Sequence, residues 1–176
     1  MTEARVGSDI PFNFGAAAPE EEYVYGACRP AHPGGAPGTT VDDWLAFVRE
    51  RGIERVCCLL DEEHLRGYDD LLDRYGRAFG ARNVHHAPIG DYGLVDGAVF
   101  RNGILPFLRG SVDADRRVVV HCSAGSGRTG HVLVGWLVAD RGYGVESAIG
   151  TVEGMGRNPL EAPGTEASDL VDLFER

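Results

Sequence analysis

Apolar residues recur with two different spacings along the chain, and these spacings predict alternating strands and helices. Nearly continuous apolar runs between turn residues are typical of buried strands, whereas apolar residues three and four positions apart are typical of helices. Strands are predicted at Tyr23–Cys28, Ile53–Leu60, Arg82–Pro88 and Arg116–His121. Helices are predicted from the cap at Thr40 to the stop at Gly52, at Leu65–Phe79, at Gly97–Val112, from about Gly127 onward, at Val145–Met155 and at Glu166–Phe174. In the helix at Gly97–Val112, Pro106 is expected either to kink the helix or to separate two pieces.

This alternation predicts an α/β fold. Its central sheet is expected to be mostly parallel, with about four to five strands and helices on both faces. A length of 176 residues and a hydrophobic content of 43% suit one buried core. We therefore divide the chain into an irregular N-terminal arm, residues 1–20, and a single domain, residues 21–176. Ligands of such sheets bind at the carboxyl ends of the strands.

The most distinctive stretch is HCSAGSGRTG, at His121–Gly130, which follows one of the predicted strands. Small residues between Cys122 and Arg128 let the backbone curl so that successive N–H groups point at one anion. The following helix directs its positive N-terminal end at the same point. In such a field a cysteine is expected to be a thiolate, and arginine can hold two phosphate oxygens at once. The phosphate-binding backbone would be Ser123, Ala124, Gly125, Ser126, Gly127 and Arg128.

Two other interpretations of this stretch are open. Gly125, Gly127 and Gly130 spell the GxGxxG pattern of dinucleotide-binding folds. Here, however, that pattern follows a cysteine late in the chain, and no acidic residue ends a strand roughly 20 residues further on. The second alternative is a glycine-rich turn with a buried structural cysteine, which leaves Arg128 and Thr129 without a role. A site that binds and attacks a tetrahedral oxyanion fits the residues better.

The motif HCSAGSGRTG resembles the signature loop of the cysteine-dependent protein tyrosine and dual-specificity phosphatases. YGACRP, VCCLLDEEHL, PIGDYG and GRNPLEAP are also similar to segments of compact dual-specificity phosphatases, so the resemblance extends from Tyr23 to Phe174. It implies a protein tyrosine phosphatase-like fold and hydrolysis through a phosphocysteine, without metal or cofactor. Cys122 would attack phosphorus, Arg128 would bind the transferring oxygens, and Thr129 would hydrogen-bond the sulfur.

Cleavage also needs an acid that protonates the leaving oxygen. Asp91 and Asp96 both lie in the predicted loop Ile89–Gly97, whose glycines allow movement. The family places its acid just after a Pro-Ile pair, which Pro88 and Ile89 match. Asp91 is therefore our choice and Asp96 the alternative. Asp91 would then act as the base in the second step.

Other residues are expected to support the site. The resemblance implies that the turn at Arg157 and Asn158 lines the pocket, and Asn158 could replace the glutamine with which some relatives place the water. His121 is expected to hydrogen-bond the turn behind Cys122. A separate hypothesis is that Cys58 and Cys122 form a reversible disulfide. The alternative is that Cys57 and Cys58 are buried thiols with a packing role.

Charge and composition narrow the partners. The chain has 27 acidic and 17 basic residues, a net charge of -10, and neither lysine nor glutamine. Such a chain repels nucleic acid and anionic membranes, so we expect neither as a partner. The acidic composition resembles that of halophilic proteins, and a high-GC codon bias would also produce it. No apolar run is long enough for a membrane span and no signal peptide is recognised, so a cytoplasmic location is expected.

Metal binding is not expected either. The four cysteines have no metal-ligand spacing, and His85 and His86, as neighbours on a strand, face opposite sides. The predicted function is hydrolysis of phosphotyrosine, phosphoserine or phosphothreonine in proteins. Lipids are disfavoured because Arg128 is the loop's sole cation. A phosphatase of small metabolites and a non-catalytic module that binds phosphorylated ligands are the alternatives.

Overall fold

The computed structural model describes residues 11–31 and 40–175 and contains a five-stranded sheet in the order β1-β2-β5-β3-β4. The strands are β1 (Gly15–Ala16), β2 (Val24–Ala27), β3 (Ile53–Cys58), β4 (Val84–His86) and β5 (Arg117–His121). β1 is antiparallel to β2, and the other neighbouring strands are parallel. The predicted α/β fold with a mostly parallel sheet is confirmed, and β5, which leads into HCSAGSGRTG, is its central strand.

Helices cover both faces of the sheet. They are α1 (Val41–Glu50), α2 (Glu62–Leu65), α3 (Leu71–Phe79), α4 (Gly97–Val99), α5 (Leu105–Asp113), α6 (Gly127–Arg141), α7 (Val145–Gly154) and α8 (Ala167–Phe174). At the start of α1, the predicted cap forms because the Thr40 hydroxyl accepts a hydrogen bond from the Asp43 N–H. A π-helical turn, Phe100–Ile104, joins α4 to α5 just ahead of Pro106, so the predicted helix over Gly97–Val112 is continuous but irregular.

The prediction of one helix over Leu65–Phe79 is wrong, because α2 and α3 are separate. Between them the Gly67 N–H donates to the His64 carbonyl and the Tyr68 N–H to the Leu65 carbonyl, which closes a tight turn. Glycine and aspartate in this turn disfavour helix. Leu65 and Tyr68 nevertheless pack against the same apolar cluster as α3, and their spacing therefore imitated a single helix.

The side chains of β5 alternate between two apolar clusters, one on each face of the sheet. Val118, Val120 and then Cys122 belong to the cluster that α6 covers, whereas Val119 belongs to the cluster that α1 and α3 cover. α6 is buried over most of its length because α5, α7 and α8 pack around it. Cys122, the predicted nucleophile, therefore lies where the central strand meets the central helix.

The N-terminal arm is more regular than expected in its described part, which begins at residue 11. β1 extends the sheet, and Phe14, Ala17 and Ala18 are buried in the two apolar clusters. β1 has only two residues, which is too short a stretch for an apolar–polar pattern to predict a strand. Residues 1–10 lie outside the described part of the chain.

Candidate active site

The loop between β5 and α6 wraps around the sulfur of Cys122, which is 2% exposed. The Gly125 N–H donates a hydrogen bond to Cys122 Sγ at 3.2 Å. Gly125 has φ of +75°, and a Cβ there would lie 2.6 Å from the carbonyl of Ala27, so glycine is required for both conformation and space. This arrangement is the one expected of an anion-binding loop with a nucleophile at its base.

Arg128 lies in the first turn of α6 and is buried. Its Nη1 donates to the carbonyl of Ile89 at 3.0 Å, and its Nη2 lies 3.4 Å from Oδ1 of Asp91. The guanidinium therefore links two loops. One is the loop Ser123–Arg128, which we call the phosphate loop, and the other is the loop Ile89–Gly97 with the candidate acid, which we call the acid loop.

The two candidate acids occupy different environments. Asp91 is half exposed and lines the same cavity as Cys122 and Arg128. Asp96 instead caps α4, where its Oδ1 accepts hydrogen bonds from the N–H groups of Ala98 (2.9 Å) and Val99 (3.1 Å). A carboxylate engaged in a helix cap is poorly placed to transfer a proton, so the geometry favours Asp91.

His121 has the supporting position that the sequence suggested. It is buried beneath the loop, with Nδ1 3.2 Å from the Cys122 carbonyl and Nε2 3.0 Å from the Tyr75 hydroxyl. A carbonyl only accepts, so Nδ1 carries the proton and Tyr75 donates to Nε2. Burial lowers the pKa of His121 to about 4, which keeps the ring neutral and excludes it as a proton donor near pH 7.

His131, which sequence reasoning missed, joins the acid loop to the phosphate loop. Its Nδ1 donates to the Gly127 carbonyl at 3.0 Å, and its Nε2 accepts from the Val95 N–H at 3.0 Å. Burial lowers its pKa to about 4, so it also remains neutral. The available signal for a role in the site was its position one helical turn after Arg128. That position does not reveal the contact with Val95, which is distant in sequence.

Thr129 and Asn158 do not make the contacts expected of them. The Thr129 hydroxyl is buried without a hydrogen-bond partner among the described residues, and the Gly125 N–H is the group that contacts the sulfur. Asn158 is exposed, and its backbone N–H donates to Ser126 Oγ at 3.1 Å, which fixes the turn rather than pointing an amide into the site.

Glu161 lines the cavity, as do its neighbours Pro159 and Ala162. Its carboxylate lies directly over Gly127, so that a Cβ added to the glycine would be 2.3 Å from Glu161 Oε2. The signal was its position within GRNPLEAP, the segment already expected to line the pocket. The site thus has two carboxylates, Asp91 and Glu161.

The cavity has a volume of about 160 Å³. Ser123, Ala124 and Gly127 line it together with Cys122 and Arg128, and Tyr92 and Pro159 complete the lining near the two carboxylates. Ligand pockets of drug-sized molecules are usually about 300–1,000 Å³, so this cavity is too small to enclose a ligand of that size. Tyr92 is 61% exposed with φ of +59°, an uncommon conformation that fits a loop under functional constraint.

The register of β3 and β5 speaks against the hypothesis of a Cys58–Cys122 disulfide. Cys58 pairs with His121 in register, so these two side chains share a face of the sheet and the next residue, Cys122, faces the other. The two sulfurs accordingly belong to different apolar clusters. Cys57 and Cys58 are fully buried free thiols, which supports the packing alternative.

The described part of the chain contains neither a metal-ligand cluster nor a helix able to span a membrane. Within residues 11–31 and 40–175, no three His, Cys, Asp or Glu side chains are grouped as metal ligands. No helix in this part of the chain is long and apolar enough to cross a bilayer. His85 stacks on Phe107, with ring centroids 5.2 Å apart, which is a packing role.

Several solved structures share the fold of this chain. Tk-PTP in its active form is 25% identical, with a TM-score of 0.70, over 89% of this chain and 94% of that one. Kinase associated phosphatase with its catalytic cysteine replaced by serine is 19% identical, with a TM-score of 0.76, over 96% and 97%. PTPMT1 in complex with PI(5)P is 13% identical, with a TM-score of 0.71, over 92% and 94%.

The chain is thus a phosphatase of the tyrosine and dual-specificity class. A family model described as "Tc-R-P: Polymorphic toxin system, DSP-PTPase phosphatase" matches residues 33–142. This match covers more than half of the chain, which belongs to that family. A comparison with curated proteins found no match.

Proposed function

We propose that the protein hydrolyses phosphotyrosine, phosphoserine or phosphothreonine in proteins, through a phosphocysteine at Cys122. The observation that carries the proposal is that one small cavity brings together a nucleophile, a phosphate ligand and an acid, in Cys122, Arg128 and Asp91. The domain proposed to act in this way spans residues 21–176, together with residues 11–20 of the N-terminal arm.

In the first step the thiolate of Cys122 attacks phosphorus in line with the leaving oxygen. The N–H groups of the loop and the guanidinium of Arg128 stabilise the equatorial oxygens as charge develops on them. Asp91, at the mouth of the cavity, donates its proton to the leaving oxygen. The products are the dephosphorylated residue and a phosphocysteine.

In the second step water attacks the phosphocysteine and Asp91, now ionised, accepts its proton. The sulfur leaves as a thiolate that the Gly125 N–H stabilises. Asn158 is exposed outside the cavity, whereas Glu161 lines it, so Glu161 is the better placed of the two to orient the water. This replaces the sequence-based choice of Asn158.

The charge of the cavity supports protein rather than lipid substrates. Arg128 is the cation of the loop, and Asp91 and Glu161 add negative charge at the rim. A headgroup with further phosphates would be repelled there. The volume of about 160 Å³ suits a phosphate whose carrier stays outside, as a protein does. Small phosphorylated metabolites are the second candidate, because the part of such a molecule beyond its phosphate would also stay outside the cavity.

The four free cysteines suit the reducing cytoplasm.

The direct test is turnover of p-nitrophenyl phosphate by the full chain in the presence of a chelator. We expect wild-type turnover and a loss of at least about 100-fold in Cys122→Ser, because the hydroxyl is a much poorer nucleophile. Cys57→Ala, which removes a buried thiol on the same face, is the matched control and should stay active. Residual activity of Cys122→Ser above a hundredth of wild type would contradict the nucleophile assignment. Phosphopeptide binding without wild-type turnover would identify a binding module instead.

A further inference from the structure

Arg157, in the turn after α7, is buried beneath the phosphate loop. Its Nη1 donates to the Gly125 carbonyl at 2.5 Å and its Nη2 to the Gly15 carbonyl at 3.3 Å. Its Nε has no hydrogen-bond partner among the described residues. Arg157 therefore spans the space between β1 and the loop that holds the nucleophile.

The strand beside it is shaped to admit this side chain. A Cβ at Gly26, in the middle of β2, would lie 2.8 Å from Arg157 Cζ and 2.9 Å from its Nη2. Glycine inside a strand weakens the strand and usually marks a close approach of another group. Here two groups approach, the Arg157 guanidinium and the Thr129 methyl, which would lie 2.8 Å from the same Cβ, so glycine at this position leaves room for a charge under the loop.

Among residues 11–31 and 40–175, no carboxylate neutralises this charge. Within the described part of the chain Arg157 forms no ion pair, whereas Arg128 faces Asp91 and Arg141 faces Glu21. Burial lowers the pKa of Arg157 to about 10, so it is still protonated at neutral pH. A buried, unpaired cation is costly unless an anion is close by.

The groups that favour the charged form of Arg157 are the thiols of Cys122 and Cys28. Burial raises the pKa of Cys28 to about 11, so that thiol is neutral and does not offset the charge. The thiolate of Cys122, or an anion bound in the loop above it, is then the partner of the guanidinium. Other titratable groups also surround Cys122. They are Arg128 and His131 on α6, His121 on β5, Cys58 on β3, Asp91 on the acid loop and Glu161 between α7 and α8.

The second effect of Arg157 is on the direction of a peptide group. Within the loop Gly125 donates its N–H to Cys122 Sγ, while its carbonyl accepts from Arg157 and, at 3.2 Å, from Asn13 Nδ2. An anion-binding loop needs its N–H groups inward and its carbonyls outward. Arg157 and Asn13 hold this carbonyl outward.

We propose that Arg157 is a positioning residue of this phosphatase, whose buried and unpaired guanidinium fixes the phosphate loop and supplies positive charge to the Cys122 thiolate and the bound phosphate. The proposal depends on the proposed function only because it assumes a phosphatase reaction. Thiolate reactivity and phosphate binding can both be measured without turnover.

The test uses two substitutions that separate charge from hydrogen bonding. Arg157→Gln keeps a donor but removes the charge, and Arg157→Lys keeps the charge but cannot bridge two carbonyls. The first readout is the rate of Cys122 alkylation by iodoacetamide against pH. The second is binding of inorganic phosphate by isothermal calorimetry. Arg141→Gln is the matched control, because it removes an arginine far from the loop, and thermal unfolding is recorded for each variant.

We expect the half-maximal alkylation pH to rise by about one unit in Arg157→Gln and to stay near wild type in Arg157→Lys. Phosphate binding should weaken at least about threefold in both, and Arg141→Gln should change neither readout. An unchanged alkylation profile together with unchanged phosphate binding in folded Arg157→Gln would overturn the proposal. If Arg157→Gln does not unfold cooperatively, Arg157→Lys decides, because wild-type phosphate binding in that variant would equally overturn it. Failure of wild-type turnover would instead count against the phosphatase reaction alone.

Discussion

Acidification from pH 7 to pH 5 should destabilise the protein, and His131 should account for a defined share of the loss. Burial lowers the pKa of both His131 and His121 to about 4, whereas histidine in the unfolded chain titrates near ~6.5. Below about pH 6.5 the unfolded state therefore binds protons that the folded state does not. The stabilisation is fully present above this pH and is lost as the pH falls towards 4.

The size of the effect follows from these values. Between pH 7 and pH 5 each buried histidine removes about 2 kcal/mol from the free energy of unfolding, and the pair removes about 4 kcal/mol. Domains are usually stable by about 5–15 kcal/mol, so this loss is large. Burial opposes ionisation of Glu21, but hydrogen bonds from Arg141 and Trp136 lower its pKa, so its contribution falls mainly below pH 5. The chosen window therefore reports on histidines.

The assay is guanidinium chloride unfolding, followed by tryptophan fluorescence at pH 7, 6 and 5. In His131→Gln the amide can still donate or accept a hydrogen bond but cannot titrate, so the loss between pH 7 and 5 should shrink by about 2 kcal/mol. His85→Gln is the control, and because His85 is only partly buried it should remove a smaller share. The same pH dependence in wild type and His131→Gln would refute the assignment of His131 as a buried neutral base.

Three further substitutions test the site by steady-state kinetics. Asp91→Asn should slow hydrolysis of esters with poor leaving groups by about 100-fold or more and flatten the basic limb of the pH profile, whereas Asp96→Asn should leave both unchanged; the reverse pattern would move the acid to Asp96. Glu161→Gln should slow breakdown of the phosphocysteine about tenfold or more, so that the burst of p-nitrophenol becomes larger relative to the steady state; an unchanged burst would exclude Glu161 from the second step. Arg128→Lys should lose at least about 100-fold in kcat/KM because a lysine cannot bind two phosphate oxygens at once, and near-normal kinetics would mean that phosphate is bound elsewhere.

The parts that the sequence predicted well are those specified by neighbouring residues. The strand, the small-residue loop and the helix around Cys122 follow one another within about twenty positions, so their geometry depends on local preferences that can be identified in one sequence. The same locality explains the capped start of α1. Central β5 was recognisable because it is buried on both faces and hence continuously apolar.

The parts that could not be predicted depend on contacts between distant segments. Arg157 meets Gly125 across 32 positions, and His131 meets Val95 across 36. A single sequence carries no signal for such pairs, and an isolated arginine or histidine usually lies in solvent. The error at Leu65–Phe79 has another origin, because a turn that packs apolar residues on the core has the same spacing as a helix.

The hydrogen bonds between Asn13 and the phosphate loop limit where the chain can be truncated. Phe12 accepts a hydrogen bond from the Cys28 N–H at 2.7 Å, and Asn13 Nδ2 reaches the carbonyls of Ala124 and Gly125. A truncation at residue 21, the domain boundary proposed from the sequence, would remove β1, the Phe12 carbonyl that accepts and the Asn13 amide that donates, while leaving every residue of the reaction in place. Such a shortened protein would keep the complete set of reacting groups but would lose part of the frame that orients them. Limited proteolysis within residues 11–20 would thus silence the enzyme without touching its catalytic residues.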